Sequence, residues 1–402
     1  MRRILVIGAG FAGLWSALAA ARRIELEGKD AAIEVTLIAP EPVLTMRPRL
    51  YEAAPGTMAT PLGGLLADAG IRYVQGIVEA IRPDADELDY IDPAGVRTTL
   101  PYDRLVLAAG SRLFRPDIPG LREHAFSVDQ RDEAVALDDH LRKLSRQPPS
   151  AKRDTAVVAG GGFTGLEIAT ELPGRLKEIL GPNAHPRVVI VERAAAIGPE
   201  LGEGPRPAID KALAELGIEY RLGSAVERID ADGVHTADGR RIEAGTVIWT
   251  GGMRASALTA QIPGERDELG RLRVDRSLRV PSAPKVFAAG DCAVAPTDER
   301  GNHTLMSCQH AVPTGRSAGD NAVADLLGLP PTPYGQPQYI TCLDLGAAGA
   351  VITEGWDRAV RLTGAQGKAV KSMINGKLIY PPLDRHDAFA AADPRLDLGL
   401  PI

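Results

Sequence analysis

The chain has 402 residues, which is enough for two or three domains with large hydrophobic cores. Its formal charge of −6 at pH 7 argues against the basic surface by which proteins bind nucleic acid or anionic membranes. Its three cysteines, Cys292, Cys308 and Cys342, show neither metal-ligand spacing nor a C-x-x-C pair. We therefore predict no metal site and no disulfide framework, and we interpret the three thiols as buried and apolar.

The first predicted element is a buried strand over residues 4–7, followed by three glycines at the spacing G-x-G-x-x-G and by an alanine-rich helix. This spacing is typical of a dinucleotide-binding turn, in which backbone N–H groups at a helix N-terminus face a pyrophosphate. The predicted cofactor contacts of this turn are Gly8, Gly10, Phe11, Ala12 and Gly13. The same stretch also resembles a secretory signal peptide, but cleavage after Ala21 would remove the phosphate loop, so we favour the dinucleotide site.

The rest of the first unit supplies further candidate contacts. A second strand, residues 33–38, would normally be followed by an acid for the adenosine ribose, but residue 39 is alanine, so we assign that role to Glu41. The loop 45–56 carries Arg47, Arg49 and Tyr51 and is either a solvated basic loop or a ligand-binding loop with Arg47 at the cofactor. A buried strand over residues 105–111 ends in Ala109 and Gly110, where small side chains let the backbone pass close to a ligand.

A second copy of the glycine motif follows a charged helix pattern over residues 128–145 and a proline-rich boundary at 147–150. Its predicted contacts are Gly160, Gly162, Phe163, Thr164 and Gly165. The helix that it opens meets Pro173-Gly174, which should kink or shorten it. Two such units in one chain suggest two dinucleotides and electron transfer between them.

The second unit has its ribose-binding acid in place. Glu192 directly follows the strand 188–191, and a carboxylate there accepts both ribose hydroxyls of NAD and repels a 2′-phosphate. Its neighbour Arg193 could serve a 2′-phosphate, so NADPH stays open while NADH is favoured. The strand 247–252 contributes Gly251 and closes the unit.

The chain then returns to the first unit. A strand over residues 286–291 ends in Gly290 and Asp291, and this aspartate is either a helix cap or an acceptor for a polyol such as the flavin ribityl chain. A helix over 311–327, antiparallel strands from residue 330 and a short helix at 368–374 complete the pattern.

These elements predict an α/β protein with two Rossmann-like dinucleotide-binding domains, the second inserted in the first, and a small C-terminal α+β region. The predicted bounds are 1–150 and 282–330 for the FAD-binding domain, 151–281 for the NAD(P)H-binding domain, and 331–402 for the C-terminal region.

With GAGFAG, GGGFTGLE and AAGD in this order, the chain resembles flavoproteins with two dinucleotide-binding domains. Among them it is similar, over about residues 1–380, to the type II NADH dehydrogenases, which are single-subunit NADH:quinone oxidoreductases. The resemblance implies FAD in the first unit and NADH in the second, with Glu167 close to flavin and nicotinamide. It also implies that Tyr51, in MRPRLYEAA, lines the acceptor side. The A-Q-x-A-x-Q quinone motif of the family reads here C-Q-H-A-V-P, so Gln309 remains and the second glutamine is Pro313.

The predicted activity is that of an FAD-dependent NAD(P)H oxidoreductase acting on a quinone or another small acceptor. His310, with an ordinary pKa near 6.5, or Tyr51 would supply a proton to the acceptor, unless His310 and Glu167 are ordinary helix residues. No cysteine precedes residue 292, which excludes a redox-active disulfide beside the first nucleotide and disfavours sulfide oxidation.

Two alternatives are a ferredoxin-type reductase and a non-enzymatic flavoprotein of signalling or interaction type. The reductase would need a basic docking face, for which the candidates are Arg47, Arg49, Arg112 and Arg115. We expect a cytoplasmic protein, because no uninterrupted apolar run is long enough to span a bilayer, apart from the glycine-interrupted N-terminal stretch. The amphipathic membrane-binding C-terminus of the family is not evident in the tail that ends at residues 399–402, so a soluble quinone or another small acceptor fits better than a membrane quinone. Peripheral membrane contact and a homodimer through the C-terminal strands are compatible with the pattern but not indicated by it.

Overall fold

A six-stranded sheet forms the centre of the first unit in the computed structural model, which describes residues 1–396. Its strands are, in spatial order, Arg279–Val280, Ala283–Ala288, Arg104–Leu107, Arg2–Ile7, Ile33–Ala39 and Arg72–Gln75. All run parallel except Arg279–Val280, which is antiparallel to its neighbour. Ile4, Leu5 and Val6 are fully buried, as expected of a central strand covered on both faces.

The second unit contains a four-stranded parallel sheet. Its spatial order is Glu219–Arg221, Arg187–Val191, Thr155–Ala159 and Thr246–Trp249. The predicted α/β class with two such units is confirmed.

The bounds predicted for the second unit, 151–281, stay a prediction, although short strands near its predicted end pair outside its parallel sheet. Its last strand in the parallel sheet ends at Trp249. The strand Met253–Ala255 instead pairs with Ser111–Leu113, and Arg279–Val280 joins the sheet of the first unit. These strands are two or three residues long, which is too short to leave a periodic signal in the sequence.

Smaller antiparallel sheets surround the two units. The three-stranded ones are Ile77–Arg82 with Glu87–Ile91 and Arg97–Pro101, Val226–Asp230 with Gly233–Thr236 and Arg241–Glu243, and Ile340–Asp344 with Ala350–Glu354 and Ala359–Leu362. Val43–Thr45 pairs with Ala59–Pro61, and a short parallel pair joins Leu272–Arg273 to Ala293–Val294. The predicted antiparallel strands after residue 330 are thus present.

The α-helices of residues 1–396 are α1 (Phe11–Leu26), α2 (Gly63–Asp68), α3 (Leu121–His124), α4 (Arg131–Leu144), α5 (Phe163–Leu180), α6 (Arg206–Glu215), α7 (Cys308–Leu327), α8 (Gly364–Met373) and α9 (Arg385–Ala391). A π-turn, Ile374–Leu378, follows α8. Short 3₁₀ turns are Arg47–Arg49, Pro55–Thr57, Pro199–Leu201, Ala257–Gln261, Gly290–Cys292 and Gly346–Ala348. None of these helices combines the length and the apolar character needed to cross a bilayer.

Helices α4 and α8 span Arg131–Leu144 and Gly364–Met373, where 128–145 and 368–374 were predicted, and α5 and α7 also differ from the prediction. Helix α5 continues through Pro173 to Leu180, so the expected shortening is wrong. Helix α7 begins at Cys308, three residues before the predicted start, because the Ser307 side chain accepts a hydrogen bond from the His310 N–H and caps the helix. Residues 399–402, on which the expectation of a missing membrane anchor rests, lie outside the described residues.

Helices α1 and α7 cross at a very short distance, which holds the first phosphate loop against the returning chain. A methyl group at Gly319 of α7 would lie 2.0 Å from the carbonyl oxygen of Ser16 in α1, so only glycine fits. The phosphate loop is equally tight, since Gly8 has a φ of +105° and a methyl group there would lie 2.5 Å from the Ala108 carbonyl oxygen. The segment from Gly290 to α7 is thereby packed directly on the first glycine motif.

Candidate active site

The two glycine motifs have nearly the same backbone geometry. Gly10 caps α1 at φ −72° and ψ −175°, and Gly162 caps α5 at φ −78° and ψ −168°. In each, the first glycine donates its N–H to the neighbouring strand, Gly8 to Ile38 at 2.8 Å and Gly160 to Val191 at 2.9 Å. Neither helix has an acidic residue in its first turn, so each N-terminus keeps the partial positive charge that attracts a phosphate.

The space in front of the two motifs differs. A methyl group at Gly10 would meet no atom within 4 Å, so the N-terminus of α1 opens onto free space of the kind a pyrophosphate needs. In front of Gly162 lies the Glu200 carboxylate, and its Oε1 accepts a hydrogen bond from the Phe163 N–H at 2.5 Å. A carboxylate at this point shows that the donor set of α5 suits an anion. The backbone N–H donors of both motifs therefore suit the pyrophosphate of a dinucleotide.

The other predicted contacts of the first nucleotide lie at one edge of the six-stranded sheet. Because the strands that precede them are parallel, Gly8, Ala109 and Gly290 follow the carboxyl ends of three adjacent strands. Ligands of open α/β sheets bind at this edge. Glu41 follows the next strand but is largely exposed and forms an ion pair with Arg131 at 2.8 Å. Its role as the ribose acid stays a prediction.

Asp291 is held at this edge by two side chains from elsewhere in the chain. Its Oδ2 accepts a hydrogen bond from the Ser111 hydroxyl at 2.5 Å, and the Arg47 guanidinium lies 3.4 Å away. Arg47 also donates to the Asp129 carbonyl at 3.1 Å and forms an ion pair with the Asp129 carboxylate. Arg47 therefore lies within the predicted cofactor site. Asp129 and Ser111 belong to the same network and were not predicted from the sequence.

Glu192 lies where the sequence predicts, at the carboxyl end of the strand Arg187–Val191. It is buried, and its two carboxylate oxygens accept from the N–H groups of Gly161 and Ala194, each at 2.7 Å. The carboxylate is thus fixed against the second glycine motif. Arg193 is exposed beside it. Gly251 follows the strand Thr246–Trp249, which lies on the other side of Thr155–Ala159, and its carbonyl accepts from the Trp249 indole N–H at 3.0 Å.

Glu167, one turn into α5, forms a buried ion pair with Lys371 of α8. The two side chains are each about 6% exposed, and Lys371 Nζ lies 2.8 Å from Glu167 Oε1. Burial raises the pKa of Glu167 to about 7, although Lys371 and the Asp344 N–H, 3.2 Å away, oppose the shift. The carboxyl group therefore changes its charge near neutral pH, which suits a group that takes up and releases protons.

Tyr51 belongs to the same cluster. Its hydroxyl donates to Asp344 Oδ2 at 2.9 Å and accepts from the Asn375 amide at 3.2 Å. Burial raises the pKa of Tyr51, so the phenol stays protonated. The Lys371 ammonium lies 5.8 Å from the ring centres of both Tyr51 and Phe163. Lys371, Asp344 and Asn375 were not predicted, because nothing local in the sequence distinguishes them from surface residues.

The two predicted residues at the start of α7, Gln309 and His310, have different hydrogen-bond partners. The Gln309 side-chain amide pairs with the backbone of Ile340, donating to its carbonyl at 2.6 Å and accepting from its N–H at 3.3 Å. Its role at the acceptor stays a prediction.

His310 is 1% exposed, and its Nδ1 accepts from the Leu305 N–H at 3.2 Å. Its ring stacks on Tyr339, with 5.0 Å between the ring centres. Burial, helped by Arg271 and Arg358, lowers the pKa of His310 to about 3. Burial therefore favours the uncharged ring, and the role of His310 as proton donor to the acceptor stays a prediction.

The three cysteines are free thiols. Burial raises the pKa values of Cys292 and Cys342 to about 12 and raises that of Cys308 as well. All three are protonated at neutral pH, in accord with the interpretation of these residues as apolar side chains rather than reactive nucleophiles.

Comparison with known proteins identifies relatives along nearly the whole chain. Residues 2–315 match the family model described as pyridine nucleotide-disulphide oxidoreductase. A NADH dehydrogenase-like protein of Mycobacterium tuberculosis is 46% identical over 401 residues, which cover 98% of this chain and 99% of that one. The demethylphylloquinone reductase NdbB of Synechocystis is 29% identical over 87% of this chain and 86% of its own length. A structure of NDH2 from Plasmodium falciparum in complex with NADH has the same fold, with a TM-score of 0.77, 16% identity and 97% of each chain covered.

Proposed function

The chain belongs to the pyridine nucleotide-disulphide oxidoreductase family, and we propose that it is an FAD-dependent enzyme that takes hydride from NADH and reduces a small quinone-like acceptor. The observation that carries this proposal is the position of Glu167. It is on the helix whose N-terminus forms the second phosphate site, and through Lys371 and Asp344 it joins the cluster that contains Tyr51. A single helix thus connects the nicotinamide side to the predicted acceptor side.

The relatives support a quinone-like acceptor. One of them is named a demethylphylloquinone reductase, and others of 25–28% identity are named type II NADH:quinone oxidoreductases. A non-enzymatic role is not proposed, because the family is one of oxidoreductases.

FAD would be held by the first glycine motif, with Asp291 as acceptor for its ribityl chain and Ala109 and Gly110 passing close to its ring. When bound, flavin accepts hydride from NADH and passes electrons to the second substrate. The Arg47 guanidinium keeps Asp291 and Asp129 oriented and neutralises part of their charge. A polyol that enters this site meets a preorganised carboxylate.

NADH would be held by the second motif, with its adenosine ribose on Glu192. Both carboxylate oxygens already accept one backbone N–H, which leaves their remaining lone pairs for the ribose hydroxyls. Phe163 and Thr164 begin the helix whose N-terminus faces the pyrophosphate.

On the acceptor side, a quinone that gains two electrons also needs protons. Glu167 is the group suited to supply one of them, because its pKa of about 7 lets it hold and release a proton at neutral pH. Lys371 stabilises the carboxylate that remains after the proton has left. Tyr51 donates a hydrogen bond to the side chain of Asp344, whose backbone N–H donates to the Glu167 carboxyl group.

The test is anaerobic stopped-flow absorbance on the flavin-loaded protein. We expect NADH to bleach the flavin band and a short-chain quinone to restore it, with NADPH reacting more slowly. In Glu167→Gln we expect bleaching to continue while reoxidation by the quinone slows by about 10²-fold, the typical contribution of general acid catalysis. Glu178→Gln, an exposed position of α5, is the matched control. Failure of NADH to bleach the flavin in the unmodified protein would refute the proposal.

A ferredoxin-type reductase is less well supported. Of its four candidate docking arginines, Arg47 pairs with Asp129, Arg49 with Glu52 and Arg115 with Glu133. Paired arginines attract an acidic protein weakly. Reduction of a ferredoxin that exceeds quinone reduction and falls steeply with salt would reverse this preference.

A further inference from the structure

The carboxylate of Glu200 lies on the second phosphate site. Its Oε1 accepts the Phe163 N–H at 2.5 Å, and a methyl group at Gly162 would lie 2.5 Å from Oε1 and 3.2 Å from Oε2. Within residues 1–396, no cation lies within 4.0 Å of this carboxylate. The N-terminus of α5 is thus its main electrostatic partner, and the two have opposite charge.

The segment that carries Glu200 is a short turn with a glycine at each end. The 3₁₀ turn Pro199–Leu201 lies between Gly198, at φ +57°, and Gly202, at φ +78°. The Gly198 N–H donates to the carbonyl of Gly161 at 2.9 Å, which ties the turn to the glycine motif. A methyl group at Gly202 would lie 3.6 Å from the side chain of Arg358, so the other end of the turn packs against the loop between the strands Ala350–Glu354 and Ala359–Leu362. The Glu200 side chain is exposed and can rotate away without moving these anchors.

The first glycine motif lacks such a carboxylate. Gly10 stands where Gly162 stands in the second motif, with the same backbone conformation, and a methyl group there meets nothing within 4 Å. The carboxylate at the second motif is therefore a property of the turn 199–201 and not of the motif itself.

We propose that Glu200 is an internal ligand of the dinucleotide site, which the pyrophosphate of NADH must displace and which thereby weakens and sets the affinity for NADH. This inference rests on the proposed function. The pyrophosphate and the carboxylate need the same backbone N–H groups, and two anions cannot share them without strong repulsion. Binding therefore includes the loss of the hydrogen bond between Phe163 and Glu200.

The test compares the binding of ADP-ribose to the flavin-loaded protein by titration calorimetry. ADP-ribose carries the pyrophosphate but no nicotinamide, so it reports on the site without a redox reaction. Glu200→Gln and Glu200→Ala should bind it about three- to tenfold more tightly, as expected from the effect of a charge at a helix N-terminus. The Glu200 variants should also bind inorganic pyrophosphate more tightly than the unmodified protein does. Their KM for NADH should fall without a fall in kcat. Glu203→Gln, which removes a charge from an exposed position of the same loop, should bind like the unmodified protein.

Equal tightening in Glu203→Gln would attribute the effect to the charge of the loop as a whole and overturn the proposal. Unchanged or weaker binding in the Glu200 variants would also overturn it, the latter because Glu200 would then help to hold the dinucleotide. These outcomes differ from a failure of the proposed function, in which the unmodified protein itself would neither bind ADP-ribose nor show flavin bleaching with NADH.

Discussion

The carboxylate of Glu167 and the ammonium of Lys371 lie 2.8 Å apart although 204 residues separate them in the chain. Both are buried, and Lys371 also donates to the Cys342 carbonyl at 3.0 Å. A buried ion pair of this kind gives little net stability, because removing two charges from water costs about as much as their attraction returns. The placement of two opposite charges at a buried site shared by α5 and α8 is therefore better explained by function.

The first prediction concerns the pH dependence of folding. The pKa of Glu167 rises from 4.5 in the unfolded chain to about 7 in the folded one, so the folded state holds an extra proton between these values. Stability from this group is therefore complete below about pH 4.5 and is lost as pH rises through 7, by about 3 kcal/mol. Glu167→Gln, which resembles the protonated form, should gain stability relative to the unmodified protein as pH rises from 5 to 8. Urea unfolding across this range measures the difference, and a constant difference would show that Glu167 ionises normally.

The second prediction concerns the Tyr51 hydroxyl. Tyr51→Phe leaves the buried Asp344 carboxylate and the Asn375 amide each without one partner, so we expect a loss of about 1–3 kcal/mol in the free energy of unfolding. Tyr102 provides a matched control, since it is equally buried and its hydroxyl has no hydrogen-bond partner among residues 1–396. Tyr102→Phe should be close to neutral. Equal losses in the two variants would mean that the Tyr51 hydrogen bonds contribute nothing specific.

The third prediction concerns flavin retention. Asp291→Ala removes the carboxylate that Ser111 and Arg47 orient, so the protein should lose FAD on gel filtration, with an affinity at least tenfold weaker. The ratio of flavin to protein absorbance measures this loss. Asp117→Asn, at an exposed loop position, should retain its flavin. Full retention in Asp291→Ala would remove Asp291 from the flavin site.

The fourth prediction concerns the choice between NADH and NADPH. Glu192→Ser removes the acceptor for the ribose hydroxyls and the repulsion of a 2′-phosphate, so kcat/KM for NADH should fall about tenfold while that for NADPH rises. Arg193→Ala should leave NADH unaffected and lower kcat/KM for NADPH, because only a 2′-phosphate would use this exposed cation. Steady-state kinetics with both nucleotides test both variants. An equal fall for the two nucleotides in Glu192→Ser would indicate damage to the glycine motif, whose Gly161 N–H this carboxylate also accepts.

The sequence by itself determined the two phosphate loops and the strands before them. Gly8 and Gly160 stand out because a tight turn between a buried strand and a helix needs glycine at fixed spacing, which is a local requirement. Glu192 and Asp291 could be proposed for the same reason, since Glu192 directly follows a strand and Asp291 lies in the turn just after one, at the edge where ligands of such sheets bind.

Only the tertiary structure decided which side chains meet at these points. Lys371 and Asp129 are ordinary charged residues in the sequence, and their partners Glu167 and Arg47 lie far away along the chain. Burial, which is a property of the assembled core, raises the pKa of Glu167 and lowers that of His310, opposite to the roles that ordinary pKa values suggest. The glycine spacing is a property of residues that are close in the sequence. Desolvation and long-range pairing of side chains arise only when distant segments pack together.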